Sequence, residues 1–374
     1  MRGVIAVLAI TAVLWGCREY ATTPTQVASY AITEGAPPAV CPATATFTVS
    51  DESSLRSALD QASPGTVIAI RGMIGVTADL LVTTPSVRLT CATPGSGLVA
   101  LAGNPDFLFL IQALASGDVV DNLVLDGSVL TEGPYFGSAP NLRLVSNSVT
   151  CPPNGECPFF DAAPGAIVTD NRFTAVGSGT GLHMQNGIDG SRIERNTIIA
   201  TAPSSIAIFG AIRARDGRDV VIADNVIVGP WLNSMSFTFL NDAQIERNDL
   251  TGASLNGILL GLPGSFRLVR LRGNVFRNNR ARAVGSTALR VAQACGNVFV
   301  GNDLQSTSSG LTVFFDTTSG GNTFIGNSTA AIDLGSQDCN DDGIVDPNIL
   351  TGTTIARVSV PGMAVGAAMR GRLQ

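Results

Sequence analysis

A short segment of alternating apolar and polar residues recurs along most of the chain, and each copy ends near an asparagine. An apolar residue stands two positions after this asparagine in every copy, and successive asparagines are 23 to 29 residues apart. They are Asn122, Asn147, Asn171, Asn196, Asn225, Asn248, Asn274, Asn297 and Asn322. Alternation with a period of two is typical of β-strands. The pattern therefore predicts short strands at regular intervals.

The repeat length predicts a stack of strand-containing coils. A period of roughly 20 to 50 residues is typical of solenoids, in which each unit packs on its neighbours. Parallel strands that rise about 4.8 Å per coil would place all nine asparagines in one buried column. Each asparagine would hydrogen-bond the backbone and the asparagine of the next coil. Phe276, Phe299 and Phe324 would stack likewise in the core.

Charged residues precede several of these asparagines and predict a second column. The residues in that position are Asp121, Ser146, Asp170, Arg195, Asp224 and Arg247. Stacked coils would bring opposite charges to successive levels. Cross-strand ion pairs of this kind contribute only tenths of a kcal/mol each. We therefore interpret the column as part of the fold and not as a reactive site.

The segment before the repeats predicts a short helix followed by a first strand. Residues 50–62 begin with capping residues and carry an apolar stripe at Leu55, Ala58, Leu59 and Ala62. Pro64-Gly65 ends this pattern, and the apolar run at residues 67–70 follows it.

These coils resemble the right-handed parallel β-helix family, which includes the pectate-lyase-like proteins. The resemblance covers about residues 47–335. It implies an all-β, right-handed parallel β-helix with about 25 residues per coil. The short helix resembles the N-terminal cap of that family. Such a cap would cover the open edge of the first coil, which otherwise invites aggregation.

Composition narrows the possible chemistry. A chain of 374 residues with 45% apolar residues can bury a large core, and a net charge of −6 argues against a nucleic-acid partner. All 23 basic residues are arginine, which excludes a lysine base or a Schiff base. His183 is the only histidine, so a histidine-rich metal centre is excluded as well.

The N-terminus predicts export and a lipid anchor. Met1-Arg2 is followed by 14 mostly apolar residues, as in a signal peptide. Residues 14–17 resemble the lipobox of bacterial lipoproteins, which implies that Cys17 is lipidated and joins the protein to a membrane. Because Arg18 follows, we expect the outer membrane or cell surface. The alternative is ordinary cleavage, a secreted protein and a spare thiol at Cys17. Residues 1–17 are thus the signal, and residues 18–46 a flexible tether.

Cysteine usage agrees with an oxidising compartment. Six cysteines remain when Cys17 is set aside, and an even number suits disulfides. Cys151 and Cys157 close a small turn-rich loop and are the first pair that we predict. The remaining pairing would join Cys41 to Cys91 and Cys295 to Cys339. No CxxC spacing is present, which argues against a zinc site.

Two groups of residues are candidates for binding a ligand. Arg213, Arg215 and Arg218 lie where the repeat lengthens to 29 residues, which predicts a protruding loop. Guanidinium groups suit the bidentate binding of sugar carboxylates. The alternative is a solvated turn with local salt bridges. One coil earlier, His183 stands between Leu182 and Met184 and would face outward if those two face the core.

Asp189 and Arg192 follow His183 in the sequence and complete the second group. A histidine in this setting could act in catalysis, but the alternative is an ordinary surface residue. No catalytic residue can be assigned from the sequence.

A calcium loop is predicted after the last coil, within residues 336–374, which we interpret as a C-terminal cap and tail. Residues 338–346 read D-x-N-x-D-G-x-x-D and resemble the calcium loops of dockerins and thrombospondin type 3 repeats. The ligands would be Asp338, Asn340, Asp342, Asp346 and the carbonyl of Ile344. The bidentate glutamate of an EF-hand is missing at position 12, so the predicted affinity is weak. The alternative is an acidic turn without metal.

Two functions remain open, because the resembled family includes lyases, hydrolases, esterases, epimerases and non-catalytic surface proteins. The Gly-His-Gly segment of polygalacturonase-like hydrolases is absent, since residues 181–184 read Gly-Leu-His-Met. The first hypothesis is a monomeric, lipid-anchored surface module that binds glycans or serves adhesion. The alternative is a polysaccharide-active enzyme, most plausibly a calcium-dependent lyase on uronate polymers.

Overall fold

The computed structural model of the protein is an all-β parallel solenoid of about 12 turns, with about 24 residues per turn. It describes residues 40–177, 179–203, 210–261, 271–307, 312–315, 319–333, 336–339 and 344–359. The predicted parallel β-helix is confirmed. The strands form three rows, and neighbouring strands within each row pair in parallel.

The first row is a 13-stranded sheet. Its strands are Phe47–Val49, Val67–Ile70, Arg88–Cys91, Val119–Asp121, Arg143–Val145, Ile167–Thr169, Arg192–Glu194, Val221–Ala223, Gln244–Glu246, Val275–Arg277, Val298–Val300, Thr323–Ile325 and Ile349–Thr351.

The second and third rows join at the strand Ser328–Asp333, which pairs with strands of both. The second row is Met73–Val76, Gly97–Ala100, Val124–Asp126, Ser148–Cys151, Arg172–Ala175, Thr197–Ala200, Val226–Val228, Asp249–Thr251, Arg280–Val284, Asp303–Ser306, Ser328–Asp333 and Thr354–Ser359. The third row is Leu80–Val82, Phe109–Ala113, Gly133–Gly137, Phe159–Asp161, Leu182–Gln185, Gly210–Arg218, Asn233–Asn241, Asn256–Leu260, Thr287–Val291 and Val313–Phe315.

Two short pairs complete the strands: Leu271–Arg272 with Ala294–Cys295 in parallel, and Ser336–Gln337 with Asp346–Pro347 in antiparallel orientation. Side chains on successive strand residues alternate between the core and the outer face.

The predicted N-terminal helix is confirmed at Glu52–Asp60. Asp51 caps it by accepting the backbone N–H of Ser54 at 2.8 Å. Leu55 is buried, so the apolar stripe faces the solenoid. One detail differs from the prediction, because the strand Phe47–Val49 precedes the helix and pairs with Val67–Ile70. The first strand of the solenoid therefore comes before its cap in the chain.

The asparagine ladder is confirmed and lies at the corner before the second row. Each Oδ1 accepts the backbone N–H and the side-chain amide of the preceding ladder residue, at 2.8–3.1 Å. Its members are Asn147, Asn171, Asn196, Asn225, Asn248, Asn279, Asn302 and Asn327. All of them are buried, and these hydrogen bonds supply the partners that buried polar groups need.

The prediction that nine asparagines share one column is wrong. Asn274, Asn297 and Asn322 belong to a second ladder, which Asn348 continues at the corner before the first row. Asn122 belongs to neither ladder: its φ is 58°, and Leu123 occupies the ladder position, where its N–H donates to Asn147. Equal spacing along the chain therefore does not give equal positions, because two different corners use the same residue type.

The predicted charge column and aromatic stack are confirmed in part. Arg195 Nε lies 2.8 Å from Asp170 Oδ1, and Arg247 Nε lies 2.7 Å from Asp224 Oδ1. Asp121 is an exception, since it pairs with Arg88 at 2.6 Å instead. The rings of Phe276 and Phe299 stack with centroids 4.9 Å apart, and Phe324 lies 5.5 Å from Phe299.

Disulfides join Cys41 to Cys91, Cys151 to Cys157 and Cys295 to Cys339, as predicted. The first and third attach the segments at the two ends to the body of the solenoid. The predicted signal, Cys17 and most of the tether lie outside the described residues. In the described part of the chain, no helix has the length and apolar character needed to cross a bilayer.

Candidate functional site

One line of side chains crosses the outer face of the third row. Leu182 and Met184 lie in the core, which turns His183 to the outer face, as the alternation predicts. Strand register places the following residues at equivalent positions on successive strands, and we call them the outer column: Phe136, Phe159, His183, Arg213, Ser236, Leu259, Arg290, Phe314 and Asp333. His183 and Arg213 are therefore neighbours, although the sequence presented them as separate candidates.

Aromatic rings occupy one end of the outer column. The ring centroids of Phe136 and Phe159 are 5.5 Å apart, and Phe109 lies 5.0 Å from Phe136. His183 stacks on Phe159 at 5.0 Å and an interplanar angle of 24°. These three phenylalanine rings and the imidazole, which we call the aromatic row, form a continuous series of ring contacts that ends beside the strand of Arg213.

Glu156 covers His183. Its Oε1 lies 2.6 Å from His183 Nδ1, and only 3% of the histidine is exposed. The interpretation of His183 as an ordinary surface residue is therefore wrong. Glu156 belongs to the short loop that Cys151 and Cys157 close, and its N–H donates to the carbonyl of Glu132 at 2.6 Å. The disulfide thus holds a carboxylate over the imidazole.

Arg213 stands on the next strand and is half-buried. Burial lowers the pKa of its guanidinium below the ordinary value, while the nearby charge of Glu156 acts in the opposite direction. Because an arginine ordinarily titrates above about 12, Arg213 remains a cation at neutral pH. The site thus combines a cation, a carboxylate, an imidazole and an aromatic surface.

Arg215 lies two residues along the same strand and faces the same side. Its Nε is 2.9 Å from Asp216 Oδ2, and its guanidinium carbon lies 5.5 Å from the centroid of the Phe239 ring. This combination of an arginine and an aromatic ring extends the site away from His183 along the strand.

Arg218 and Asp189 lie elsewhere. The backbone N–H of Arg218, not its side chain, donates to Asp189 Oδ1 at 2.7 Å, where the strand Gly210–Arg218 ends. Asp189 therefore orders the turn of the next coil and does not join His183. Arg192 also lies apart, in the first row, where it pairs with Glu194 at 2.6 Å.

The predicted protruding loop at residues 213–219 is wrong. Residues 210–218 form a strand in register with Asn233–Asn241. The strand Thr197–Ala200 is also in register with its neighbour, so the extra residues of this long coil lie between Ala200 and Gly210. Of these, residues 204–209 are outside the described part of the chain.

Sequence reasoning missed Glu156, Phe159 and Arg290. The available signal for Glu156 was its place inside the predicted Cys151–Cys157 loop, because such a loop must lie over a neighbouring coil. For Phe159 and Arg290, the signal was their position on the outward side of an alternating segment.

The predicted calcium loop is described only in part. Asn340 and Asp342 lie outside the described residues. Asp346 Oδ2 accepts the backbone N–H of Cys339 at 2.7 Å, and the side chain of Ile344 is exposed. Among the described residues, no group of three or more His, Cys, Asp or Glu side chains is placed to hold a metal. The calcium site stays a prediction.

No protein-family model matches the sequence, and no curated protein matches it either. Several solved structures share its fold. The surface adhesin PfbA of Streptococcus pneumoniae has a TM-score of 0.61 and 11% identity, with 83% of this chain and 87% of that one covered. The A-module of the Azotobacter vinelandii mannuronan C-5 epimerase AlgE6 has a TM-score of 0.54 and 14% identity, with 85% and 95% covered.

The Dettilon tailspike protein has a TM-score of 0.60 and 13% identity, and the alignment covers 83% of this chain but 64% of the tailspike chain. At these identities the likeness shows the β-helix fold alone.

Proposed function

We propose that the protein is an exported carbohydrate-binding protein that holds an anionic polysaccharide on the outer column. The observation that carries this proposal is the placement of Arg213 beside His183 at the end of the aromatic row. Aromatic faces provide a rigid apolar surface on which sugar rings can pack. A guanidinium adds bidentate hydrogen bonds to a carboxylate or sulfate group.

Export is supported by the three disulfides, because such bonds persist in oxidising compartments. Similar folds occur in a surface adhesin and in a mannuronan C-5 epimerase. We include the lipid anchor at Cys17 in this proposal, with the solenoid displayed at the outer membrane or cell surface.

A lyase acting on a uronate polymer is the second candidate, and the Glu156–His183 pair favours it. In this reaction Arg213 would neutralise the uronate carboxylate. The imidazole, which is buried under Glu156 in this structure, would take the proton from C5 after Glu156 moves away from it. The electron pair would form the C4–C5 double bond as the C4–O bond breaks, and the leaving oxygen would take a proton from water. A carboxylate that orients an imidazole is suited to such proton transfer.

A glycan array followed by an assay for unsaturated uronate tests both functions. We expect the purified protein to retain acidic polysaccharides and Arg213→Ala to lose them, with Arg213→Lys intermediate because lysine cannot form the bidentate contact. Arg143→Ala is the matched control, since Arg143 is an exposed arginine on the first row.

Binding without any unsaturated product supports the binding module. Product that disappears in His183→Ala supports the lyase. Equal binding by the wild-type protein and Arg213→Ala would contradict the proposed site.

A further inference from the structure

The aromatic row is open to solvent along its three phenylalanines. Phe109, Phe136 and Phe159 are each partly exposed on the outer face of the third row. The surface beside them is open as well, because Leu81 and Leu108 are 50% and 40% exposed. Leu81 lies two strands before Phe136 at the equivalent position, and Leu108 directly precedes Phe109. Exposed apolar surface of this kind is typical of a binding site.

Charge divides the third row into two parts. Its first five strands, from Leu80–Val82 to Leu182–Gln185, contain no arginine, and their one histidine lies under Glu156. The sixth strand, Gly210–Arg218, contains three arginines. The surface therefore becomes basic at the strand that carries Arg213, and the phenylalanines lie wholly on the other side of this boundary.

Carboxylates stand beside the aromatic row. At one end, Asp79 Oδ1 accepts the backbone N–H of Phe109 at 3.3 Å. Asp161 lies two residues after Phe159 and, like it, faces outward. At the other end stands Glu156. An acidic sugar placed on the rings would meet these like charges, and such repulsion excludes unsuitable ligands from a binding surface.

The polar groups beside the rings suit the hydroxyls of a neutral sugar. Asp161 Oδ1 accepts the side-chain amide of Asn186 at 2.6 Å and that of Gln185 at 3.4 Å. A carboxylate has several acceptor positions, and an amide both donates and accepts, so this cluster matches hydroxyls, which also do both. The phenylalanine rings provide a flat apolar surface for the C–H face of the sugar. A neutral sugar therefore fits both parts of this surface.

We propose that the aromatic row is a subsite for uncharged sugars. The ligand is then a mixed polysaccharide, whose neutral units lie on the phenylalanines while an acidic unit reaches Arg213. This inference rests on the proposed binding function at Arg213. It narrows the ligand from acidic polysaccharides in general to polymers that contain both acidic and neutral sugars.

The test compares three hexasaccharides by calorimetry. Hexagalacturonate is acidic throughout, cellohexaose is neutral, and the third alternates glucuronate with glucose. We expect the wild-type protein to bind the alternating hexasaccharide about tenfold more tightly than either of the others, because it alone offers neutral rings to the phenylalanines and a carboxylate to Arg213. Equal or tighter binding of hexagalacturonate would overturn the neutral subsite. Failure to bind either acidic hexasaccharide would overturn the proposed function itself.

A substitution in the aromatic row tests its part in this preference. Phe136→Ala should weaken binding of the alternating hexasaccharide about tenfold and leave binding of hexagalacturonate unchanged. Ile325→Ala is the matched control, since it removes an exposed apolar side chain from the first row, and it should change neither ligand. Melting curves check that each variant is folded. An unchanged preference in Phe136→Ala would show that the neutral sugars do not lie on the row.

A substitution of opposite sign separates charge from folding. Asp161→Asn removes the negative charge and keeps the oxygen that accepts from Asn186, so binding of hexagalacturonate should become severalfold tighter. A folding defect would weaken binding instead. Asp126→Asn, at a partly buried carboxylate on the second row, is the control and should leave binding unchanged. If Asp161→Asn and Asp126→Asn bind hexagalacturonate equally, repulsion at the row does not select the ligand.

Discussion

Asn225 donates its side-chain amide to Asn248 Oδ1 at 2.9 Å, and the same oxygen accepts the backbone N–H of Asn225 at 3.1 Å. The amide also donates to the carbonyl of Ile193, and Asn225 Oδ1 accepts both donors of Asn196. One fully buried side chain thus satisfies polar groups of three coils. The ladder holds the corner together because water cannot replace these partners.

Asn225→Leu should lower the free energy of unfolding by about 1–3 kcal/mol, because it leaves buried backbone groups unpaired. Urea denaturation measures this change. Gln244→Leu is the control: Gln244 is exposed on the first row, so we expect a change within about 0.5 kcal/mol. An equal effect of the two substitutions would show that the ladder does not stabilise the corner.

The fold could be predicted from the sequence because its signals are local and repeat. The alternation and the recurring asparagines report the strands and the coil length directly. The assignment of Asn274 to a corner could not be predicted, since two corners bury the same residue type and coil length varies. Register decides between them, and register depends on the packed solenoid.

Only single residues of the candidate site could be predicted, because strand register also decides which of these residues lie side by side. His183 and Arg213 were each recognised, but their pairing in register depends on where a coil of unusual length takes its extra residues. Glu156 reaches His183 from the loop that the Cys151–Cys157 disulfide closes. Contacts of this kind join distant parts of the chain, and no local pattern reports them.

Asp118 occupies the corner position that Asn274 fills farther along the second ladder. Its Oδ1 accepts the N–H of Val87 at 3.0 Å, while Oδ2 is buried with no partner among the described residues. Burial is the main cause that raises the pKa of this carboxyl to about 7, and hydrogen bonds from the backbone oppose it. An unfolded aspartate titrates at about 3.9, so the native state binds the proton more tightly.

Stability linked to Asp118 is therefore complete below about pH 4 and is lost as the pH rises through about 7. Asp118→Asn removes the charge and keeps an acceptor for Val87. We expect it to raise the free energy of unfolding by about 1–3 kcal/mol at pH 8 and by much less at pH 4. Urea denaturation at both pH values measures the difference. A gain that does not depend on pH would contradict the titration.

Gly181 sets the separation of the strands that carry His183 and Arg213. A Cβ atom at Gly181 would lie 2.1 Å from the carbonyl oxygen of Ala211, which is backbone and cannot rotate away. Gly181→Ala should therefore push these strands apart, lower the free energy of unfolding by about 1–3 kcal/mol and weaken glycan binding. Melting curves and titrations with acidic oligosaccharides measure the two effects.

Gly75→Ala is the matched control for this prediction. Its Cβ would meet the end of the Leu101 side chain at 2.9 Å, and Leu101 is exposed and can move. We expect a smaller loss of stability and unchanged glycan binding. Normal binding by Gly181→Ala would show that the strand separation does not position the site.

The last prediction concerns calcium at the C-terminal end of the solenoid. The disulfide from Cys339 to Cys295 holds the start of the predicted loop against the coils, and Asp346 accepts the Cys339 N–H, so its two ends are already close. Ordered ends lower the entropic cost of closing a loop around an ion. A metal that binds only the folded state adds about 2.7 kcal/mol to the free energy of unfolding at a hundredfold excess over Kd.

Millimolar calcium should therefore raise the melting temperature, and Asp342→Ala should remove that rise while glycan binding persists. Asp60→Ala, at the end of the N-terminal helix, should keep the full response. An unchanged melting curve of the wild-type protein in calcium would leave this segment as an acidic turn.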